Sequence, residues 1–67
     1  MAITLKAARI NAGYTQKTAA KLLNVSNKTL FAWENGMSYP NAVKIKDICT
    51  LYKMSYDDII FLPHNPL

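Results

Sequence analysis

Apolar residues recur at intervals of three and four along most of the chain, which is the spacing of one helix face. In residues 4–12 this face holds Leu5, Ala8 and Ala12, so a first helix is predicted there. Gly13 follows, at the position where a left-handed residue commonly ends a helix. The pattern restarts beyond Gly13, which predicts a series of short helices separated by tight turns.

A second helix is predicted from Thr15, an N-capping residue type, to about Leu23. Its apolar positions form a narrow stripe of mainly small side chains that favours close packing: Ala19, Ala20, Leu22 and Leu23. Asn24 is predicted to be the turn residue, because asparagine tolerates a positive φ better than most side chains.

A third helix is predicted to begin after Ser26 and to end at Asn35 and Gly36. Helical winding directs Leu30 and Trp33 toward the core. The opposite arc is expected to be exposed, and it carries Asn27, Lys28, Phe31, Ala32 and Asn35.

Two further helices are predicted after a loop that ends at Pro40. The fourth covers residues 41–52 and has a clear apolar stripe formed by Ile45, Ile48, Cys49 and Tyr52. The fifth is short, covers residues 56–61, and follows a sequence of the capping-box form, Ser55-Tyr56-Asp57-Asp58. No alternating apolar run is long enough to require a sheet. The prediction is an all-α, five-helix domain over residues 1–62, followed by a tail at 63–67.

Composition narrows the class of protein. Sixty-seven residues with 51% apolar content fit one folded domain. The net charge is +4 and every acidic residue lies at or beyond Glu34, so residues 1–33 carry only basic charge. That asymmetry lends weak support to a nucleic-acid partner. The single Cys49 cannot form an internal disulfide, and no apolar run could span a membrane, so a cytoplasmic protein is expected.

The sequence lacks the residue patterns that are typical of catalytic sites. The one histidine, His64, lies between prolines in the tail, and Asp57 and Asp58 are explained by a helix start. There is no glycine-rich phosphate loop, no paired nucleophile and base, and no His and Cys spacing typical of zinc. We therefore expect no enzyme activity, no metal, no cofactor and no small-molecule substrate.

Residues 5–62 resemble the helix-turn-helix domain shared by lambdoid phage repressors, Cro proteins and xenobiotic-response-element type regulators. The resemblance rests on five short motifs in the family's order and spacing: Thr15-Gln16, Asn24-Val25-Ser26, Trp33-Glu34-Asn35-Gly36, Tyr39-Pro40 and Met54-Ser55. Two positions depart from the family pattern. Asn24 replaces the usual glycine, and Ala19 stands where a larger apolar residue is common.

The resemblance implies a transcriptional regulator that occupies operator DNA with its third helix in the major groove. Asn27, Lys28 and Ala32 match the base-facing positions of the family. Asparagine can pair with adenine, lysine can donate to guanine O6 or N7, and alanine can contact a thymine methyl group. Phe31 is the fourth candidate: it contacts a thymine methyl or a sugar, or it folds back over Tyr39 or Met37.

Contacts to the DNA backbone would supply much of the affinity. Gln16 and Asn35 match phosphate-binding positions of the family. Four further candidates are less specific, and the alternative interpretation of each is an ordinary solvated side chain: Lys6, Lys17, Tyr39 and Lys44. In the family, the positions of Arg9 and Glu34 form an ion pair that ties the first helix to the end of the third.

Two hypotheses from different classes remain. The first is a phage- or prophage-type repressor or Cro-like regulator that binds as a weak or DNA-assisted homodimer. Its interface would come from apolar residues near the C-terminus that either face a partner or are used in the chain's own core: Ile59, Ile60, Phe61 and Leu62. The second is a protein-interaction module of the same fold, such as an antitoxin or antirepressor, with little affinity for an operator.

Overall fold

The computed structural model describes residues 2–61, which form four α-helices, one turn of 3-10 helix and two short strands. The elements in chain order are β1 (Ile3–Thr4), α1 (Leu5–Asn11), α2 (Gln16–Leu22), α3 (Asn27–Glu34), α4 (Ala42–Tyr52), the 3-10 turn (Tyr56–Asp58) and β2 (Ile59–Ile60). Leu62 and the predicted tail at 63–67 lie outside the described residues. The first four of the five predicted α-helices are confirmed, with ends that differ from the prediction by at most two residues.

Each α-helix begins at a side chain that caps it. The capping oxygen accepts a hydrogen bond from the backbone N–H three residues further on, at 2.9 to 3.1 Å, and the four caps are Thr4, Thr15, Ser26 and Asn41. Such a bond satisfies one of the N–H groups left free at a helix start and stabilises it by about 1 kcal/mol. The start of every helix is therefore encoded locally.

Each α-helix also ends in the same way. A residue with a left-handed φ lies just past the C-cap in the first three helices, at Gly13 (88°), Asn24 (60°) and Gly36 (72°). In α4 the C-cap itself, Lys53, is left-handed at 56°. The next N–H then binds the carbonyl five positions back, at 2.8 to 3.2 Å, from Tyr14, Val25, Met37 and Met54. The prediction for Asn24 is confirmed. Lys53 was not predicted, because lysine has no special tolerance for this conformation.

The core is one cluster of buried side chains contributed by all four α-helices and by residues 59–61. Leu30 and Ile48 are its largest fully buried side chains. Ala19 and Ala20 on α2 are also buried, and their small size allows α2 and α3 to pack closely. Leu22, predicted to belong to the same stripe, is instead 55% exposed. The remaining buried apolar residues are Leu5, Ala8, Leu23, Trp33, Tyr52, Ile59 and Phe61.

The fifth α-helix is not confirmed. Its first three residues form only the 3-10 turn, and Ile59 is already extended at φ −118° and ψ 131°. Ile59 and Ile60 then pair in parallel with Ile3 and Thr4, respectively. Two β-branched residues in succession favour an extended backbone, and the pairing supplies hydrogen-bond partners that a helix would otherwise provide. The domain is mostly helical, with a small parallel sheet joining its ends.

The capping box predicted at Ser55 is likewise absent in its usual form. Ser55 makes no side-chain bond to a backbone N–H, and its Oγ donates instead to Asp58 Oδ2 at 2.9 Å. Without that cap one of the signals that would start a regular helix is missing.

Tyr52 places a polar group inside this core. Its ring lies 6.1 Å from that of Tyr14, and its hydroxyl is buried with no hydrogen-bond partner among residues 2–61. Burial raises the pKa of Tyr52 well above its usual value, and the negative charge of Glu34 raises it further, although Arg9 acts in the opposite direction. The neutral phenol is therefore strongly favoured in the folded state.

We expect Tyr52→Phe to leave the free energy of unfolding unchanged or to raise it by up to about 1 kcal/mol, because it removes a buried hydroxyl that has no partner. Above about pH 10, where unfolded tyrosine ionises, wild-type stability should fall as pH rises, because the unfolded chain then binds fewer protons than the folded one. Part of that fall should be absent in the variant. Urea unfolding at pH 7 and pH 10.5 measures both effects, and a loss of more than 1 kcal/mol at pH 7 would show that the hydroxyl is bonded.

Candidate nucleic-acid interface

Helices α2 and α3, joined by a turn at Asn24, present one polar surface of the domain. On α3 the buried edge consists of Leu30 and Trp33, and Asn27, Lys28 and Asn35 are exposed on the other side. Ala32 is half-buried and Phe31 is 48% exposed. The predicted division of α3 into a core edge and an exposed arc therefore holds. We call this exposed arc the polar face of α3.

A bidentate ion pair lies beneath this surface. Arg9 Nε donates to Glu34 Oε2 at 2.7 Å, and Arg9 Nη2 donates to Oε1 at 3.3 Å. The side chains are only 8% and 2% exposed, respectively. Arg9 Nη1 also donates to the carbonyl oxygen of Tyr14 at 3.0 Å. The pair joins α1 to the last residue of α3 and to the segment that leads into α2.

Gln16 extends this ion pair toward the polar face of α3. Its Nε2 donates to Glu34 Oε1 at 3.1 Å, and its Oε1 accepts a hydrogen bond from Asn27 Nδ2, also at 3.1 Å. No local sequence pattern predicts these bonds, because they join the first residue of α2 to both ends of α3. Four side chains are thereby linked in one network: Arg9, Glu34, Gln16 and Asn27.

Three of the lysines predicted to contact DNA have exposed side chains without a hydrogen-bond partner among residues 2–61. Lys6, Lys17 and Lys28 are exposed, and none donates a hydrogen bond to another of the described residues. A lysine ammonium carries three donors and one full charge. These side chains therefore keep their full capacity for a phosphate or a base edge.

Two other predicted contacts, Lys44 and Asn35, already have intramolecular partners. Lys44 Nζ donates to the carbonyl oxygen of Leu23 at 2.8 Å and so satisfies the C-terminal end of α2. Asn35 Nδ2 donates to the carbonyl oxygen of Phe31 at 2.8 Å. Each of these amine and amide groups retains further donors, but part of its capacity is used within the domain.

Tyr39 belongs to an aromatic cluster with Tyr56 and Phe61. Its ring lies edge-on to that of Phe61 at 6.1 Å, and Phe61 stacks on Tyr56 at 5.4 Å. The hydroxyls of Tyr39 and Tyr56 are 3.4 Å apart, and this hydrogen bond raises the pKa of Tyr39 above its usual value. Tyr39 is 51% exposed and remains neutral near pH 7.

The predicted dimer surface is reduced by the fold. Ile59 and Phe61 are buried in the chain's own core, so they are not available to a partner. The alternation of the strand β2 leaves Ile60 40% exposed. Leu62 lies outside the described residues. Of the two alternatives left open by the sequence, use in the chain's own core therefore holds for Ile59 and Phe61, and exposure holds for Ile60.

Residues 2–61 contain neither a metal-binding cluster nor a membrane-spanning helix. No three His, Cys, Asp or Glu side chains in this range come close enough together to hold a metal ion. No helix in the same range has the length and apolar character to cross a membrane. Cys49 is a half-buried free thiol on α4, and burial raises its pKa, which favours the unreactive protonated form.

The packed helix pair, the turn at Asn24 and the polar face of α3 define a helix-turn-helix domain, the class of DNA-binding domain found in transcriptional regulators. A family model described as Helix-turn-helix matches residues 5–59. The chain belongs to the lambdoid repressor and Cro-like helix-turn-helix family.

A comparison with a characterised relative is consistent with this assignment. The chain is 39% identical over 56 residues to the HTH-type transcriptional regulator ImmR of Bacillus subtilis (strain 168). The aligned region covers 84% of this chain and 44% of the relative, so the chain spans less than half the length of that protein. No solved structure matches the chain.

We expect Glu34→Ala to weaken DNA binding mainly by destabilising the fold. It leaves the guanidinium of Arg9 buried without its counter-charge, which costs about 3 to 5 kcal/mol in comparable pairs. Thermal unfolding and a gel shift at 10 °C measure the two effects separately. A variant that keeps the wild-type melting temperature and yet loses binding would contradict this account.

Proposed function

We propose that this chain is a sequence-specific DNA-binding domain of a transcriptional regulator, of the phage or prophage repressor and Cro-like type, and that it acts by occupying an operator. The observation that carries the proposal is the polar face of α3, which lies over a buried edge formed by Leu30 and Trp33. A rigid helix with outward hydrogen-bonding side chains suits insertion into the major groove.

Asn27 and Lys28 are the proposed base-reading residues. They occupy the first turn of α3, which is the end that enters the groove most deeply in helix-turn-helix proteins. Lys28 is free to donate to guanine O6 or N7, and Asn27 keeps an amide oxygen and one N–H for a base edge. Ala32 and Phe31, further along the same face, are proposed to contact thymine methyl groups or sugars.

Contacts to phosphates are proposed on either side of the base-reading residues Asn27 and Lys28. Gln16 has one amide N–H left after its bond to Glu34, and Asn35 has one left after its bond to Phe31. Lys6 and Lys17 add exposed positive charge. Lys44 and Tyr39 are secondary candidates, because each already has a partner within the domain.

A weak or DNA-assisted homodimer is proposed, with Ile60 as the exposed apolar residue at its contact. Tyr56 is also half exposed and lies in the same C-terminal segment. One isoleucine and one tyrosine ring offer much less surface than a stable dimer buries. Two domains on DNA would place their α3 helices about 34 Å apart on one face of the duplex.

Asn27→Ala and Lys28→Ala should each weaken binding to a selected duplex about tenfold, because each removes a base contact worth about 1 to 3 kcal/mol. Each should also relax selectivity at one base position. Gel shifts with competitor DNA measure the affinity, and selection from a random duplex pool measures the selectivity. Lys46→Ala is the matched control: it removes an exposed charge from α4, outside the proposed interface, and should leave binding close to wild type.

The same experiments test the alternative function. Affinity for DNA should fall steeply as salt rises, since phosphate contacts release counterions. Failure to retard any duplex at low salt, by a protein that is shown to be folded, would favour a protein-interaction module instead. Equal loss of binding in Lys46→Ala and Lys28→Ala would indicate non-specific attraction only.

Ile60→Thr should reduce cooperative binding to paired half-sites several-fold while leaving binding to a single half-site unchanged. Threonine keeps the β-branched shape that suits β2 but removes apolar contact area. Sedimentation and gel shifts on one-site and two-site duplexes give the two affinities. Val43→Thr, at another exposed apolar position, on α4, serves as the control. Unchanged cooperativity in Ile60→Thr would place the contact elsewhere.

A further inference from the structure

We propose that two different surfaces of the domain bind each other between neighbouring copies, so that the copies assemble head to tail along DNA. One surface is a basic groove between α2 and α4, and the other is an acidic and apolar patch within residues 56–60. The inference rests on the proposed DNA binding and homodimer, and it deepens them by naming the surface that receives Ile60. Its consequence is that the half-sites are direct repeats.

The first surface is an open groove of about 450 Å³ between the end of α2 and one side of α4, here called the α2–α4 groove. Its apolar lining includes Leu22, which is 55% exposed, and the half-buried Leu51. A groove of this volume has room for an isoleucine side chain and part of an aromatic ring. A partner with such side chains would cover the two leucines.

The charge around this groove is mainly positive. Lys46 is exposed in its lining, and Lys44 is held there by a hydrogen bond of 2.8 Å to the end of α2. Lys21, in the last turn of α2, adds a further exposed ammonium group. Asp47 is the one acidic residue of the lining. Three lysines against one aspartate favour a partner that is acidic as well as apolar.

The last described segment of the same chain has this chemistry. Tyr56 is 52% exposed, Ile60 is 40% exposed, and Asp57 is an exposed acid between them in sequence. We call these three residues the acidic patch. Residues 55–61 contain two acids and no base. The ring of Tyr56 stacks on Phe61 at 5.4 Å, so this part of the patch is already ordered before a partner binds.

Charge decides between two ways of pairing the copies. In a two-fold dimer the acidic patch would meet its own copy, which brings Asp57 and Asp58 of both copies together with no base in residues 55–61 to offset the repulsion. The α2–α4 groove instead offers Lys46 to Asp57 and an apolar lining to Ile60. The groove and the patch share no residue, so their contact joins unlike surfaces of two copies and leaves one of each surface free.

DNA would hold the copies at a distance that suits this contact. The described residues measure 32 Å along their longest axis, and one turn of the duplex is about 34 Å long. Copies one full turn apart on the same face of DNA are related by translation alone, which brings unlike surfaces toward each other. Each copy then reads its half-site in the same direction. Direct repeats therefore fit the head-to-tail contact, whereas inverted repeats would require a two-fold dimer.

The orientation of the half-sites tests the assembly. Gel shifts compare duplexes that carry one selected half-site, two in direct repeat or two in inverted repeat, with centres one helical turn apart. We expect the second copy to bind the direct repeat several-fold more tightly than a single half-site, and to gain nothing on the inverted repeat. A third half-site in the same direction should be filled with the same gain. Cooperativity on the inverted repeat that equals or exceeds that on the direct repeat would overturn the inference.

An exchange of charges tests the contact itself. Lys46→Glu and Asp57→Lys should each lower cooperativity on the direct repeat several-fold, because each replaces an attraction between copies by a repulsion. The variant with both substitutions should regain cooperativity, since the opposite charges meet again. Lys46→Arg is the matched control, which keeps the positive charge and should behave like the wild type. Cooperativity is expressed relative to the affinity of the same variant for one half-site, so direct effects of charge on DNA binding cancel.

The outcomes separate this inference from the proposed function. Unchanged cooperativity in Lys46→Glu would overturn the inference, and so would a double variant that is no more cooperative than either single variant. Specific binding to one half-site without cooperativity on any repeat would overturn the inference and leave the proposed DNA binding intact. A folded wild-type protein that selects no sequence would overturn both. Both substituted side chains are exposed, so the variants should keep the fold, which thermal unfolding checks.

Discussion

The ion pair of Arg9 and Glu34 is the interaction on which the arrangement of the first three helices depends. It joins α1 to the end of α3, and through Gln16 it reaches the start of α2. Burying two charges costs solvation energy that their attraction offsets only when the geometry is good. Here each partner makes more than one hydrogen bond, so the pair fixes orientation more surely than it adds net stability.

Close packing supplies the stability that the ion pair does not. Ala19 and Ala20 allow α2 to approach α3, and Leu30 is fully buried in the same cluster as Ile48 of α4. Ala19 is smaller than the residue common in the family, yet it is completely buried and packed in the same cluster as Leu23, Leu30 and Trp33. A domain of this size has few core residues, so each contributes a large share of the free energy of unfolding.

The small parallel sheet fixes the first described segment of the chain against the last one. Pairing of Ile3 with Ile59 brings the first and last described segments together, beside α1. It also buries Ile59 and Phe61, which reduces the apolar surface left for a partner to Ile60 and the rings near it. This limited apolar surface is the reason for proposing a homodimer that is weak or depends on DNA.

The sequence by itself determined the four α-helices, their caps, the turn at Asn24 and the two faces of α3. These features depend on neighbours within five positions, and so they can be deduced from capping residues and helical spacing. The tertiary structure alone decided the strand at Ile59–Ile60, the bond from Lys44 to the end of α2 and the amide network through Gln16. Those bonds join residues far apart in the chain, and no local pattern records which distant group will satisfy a given donor or acceptor.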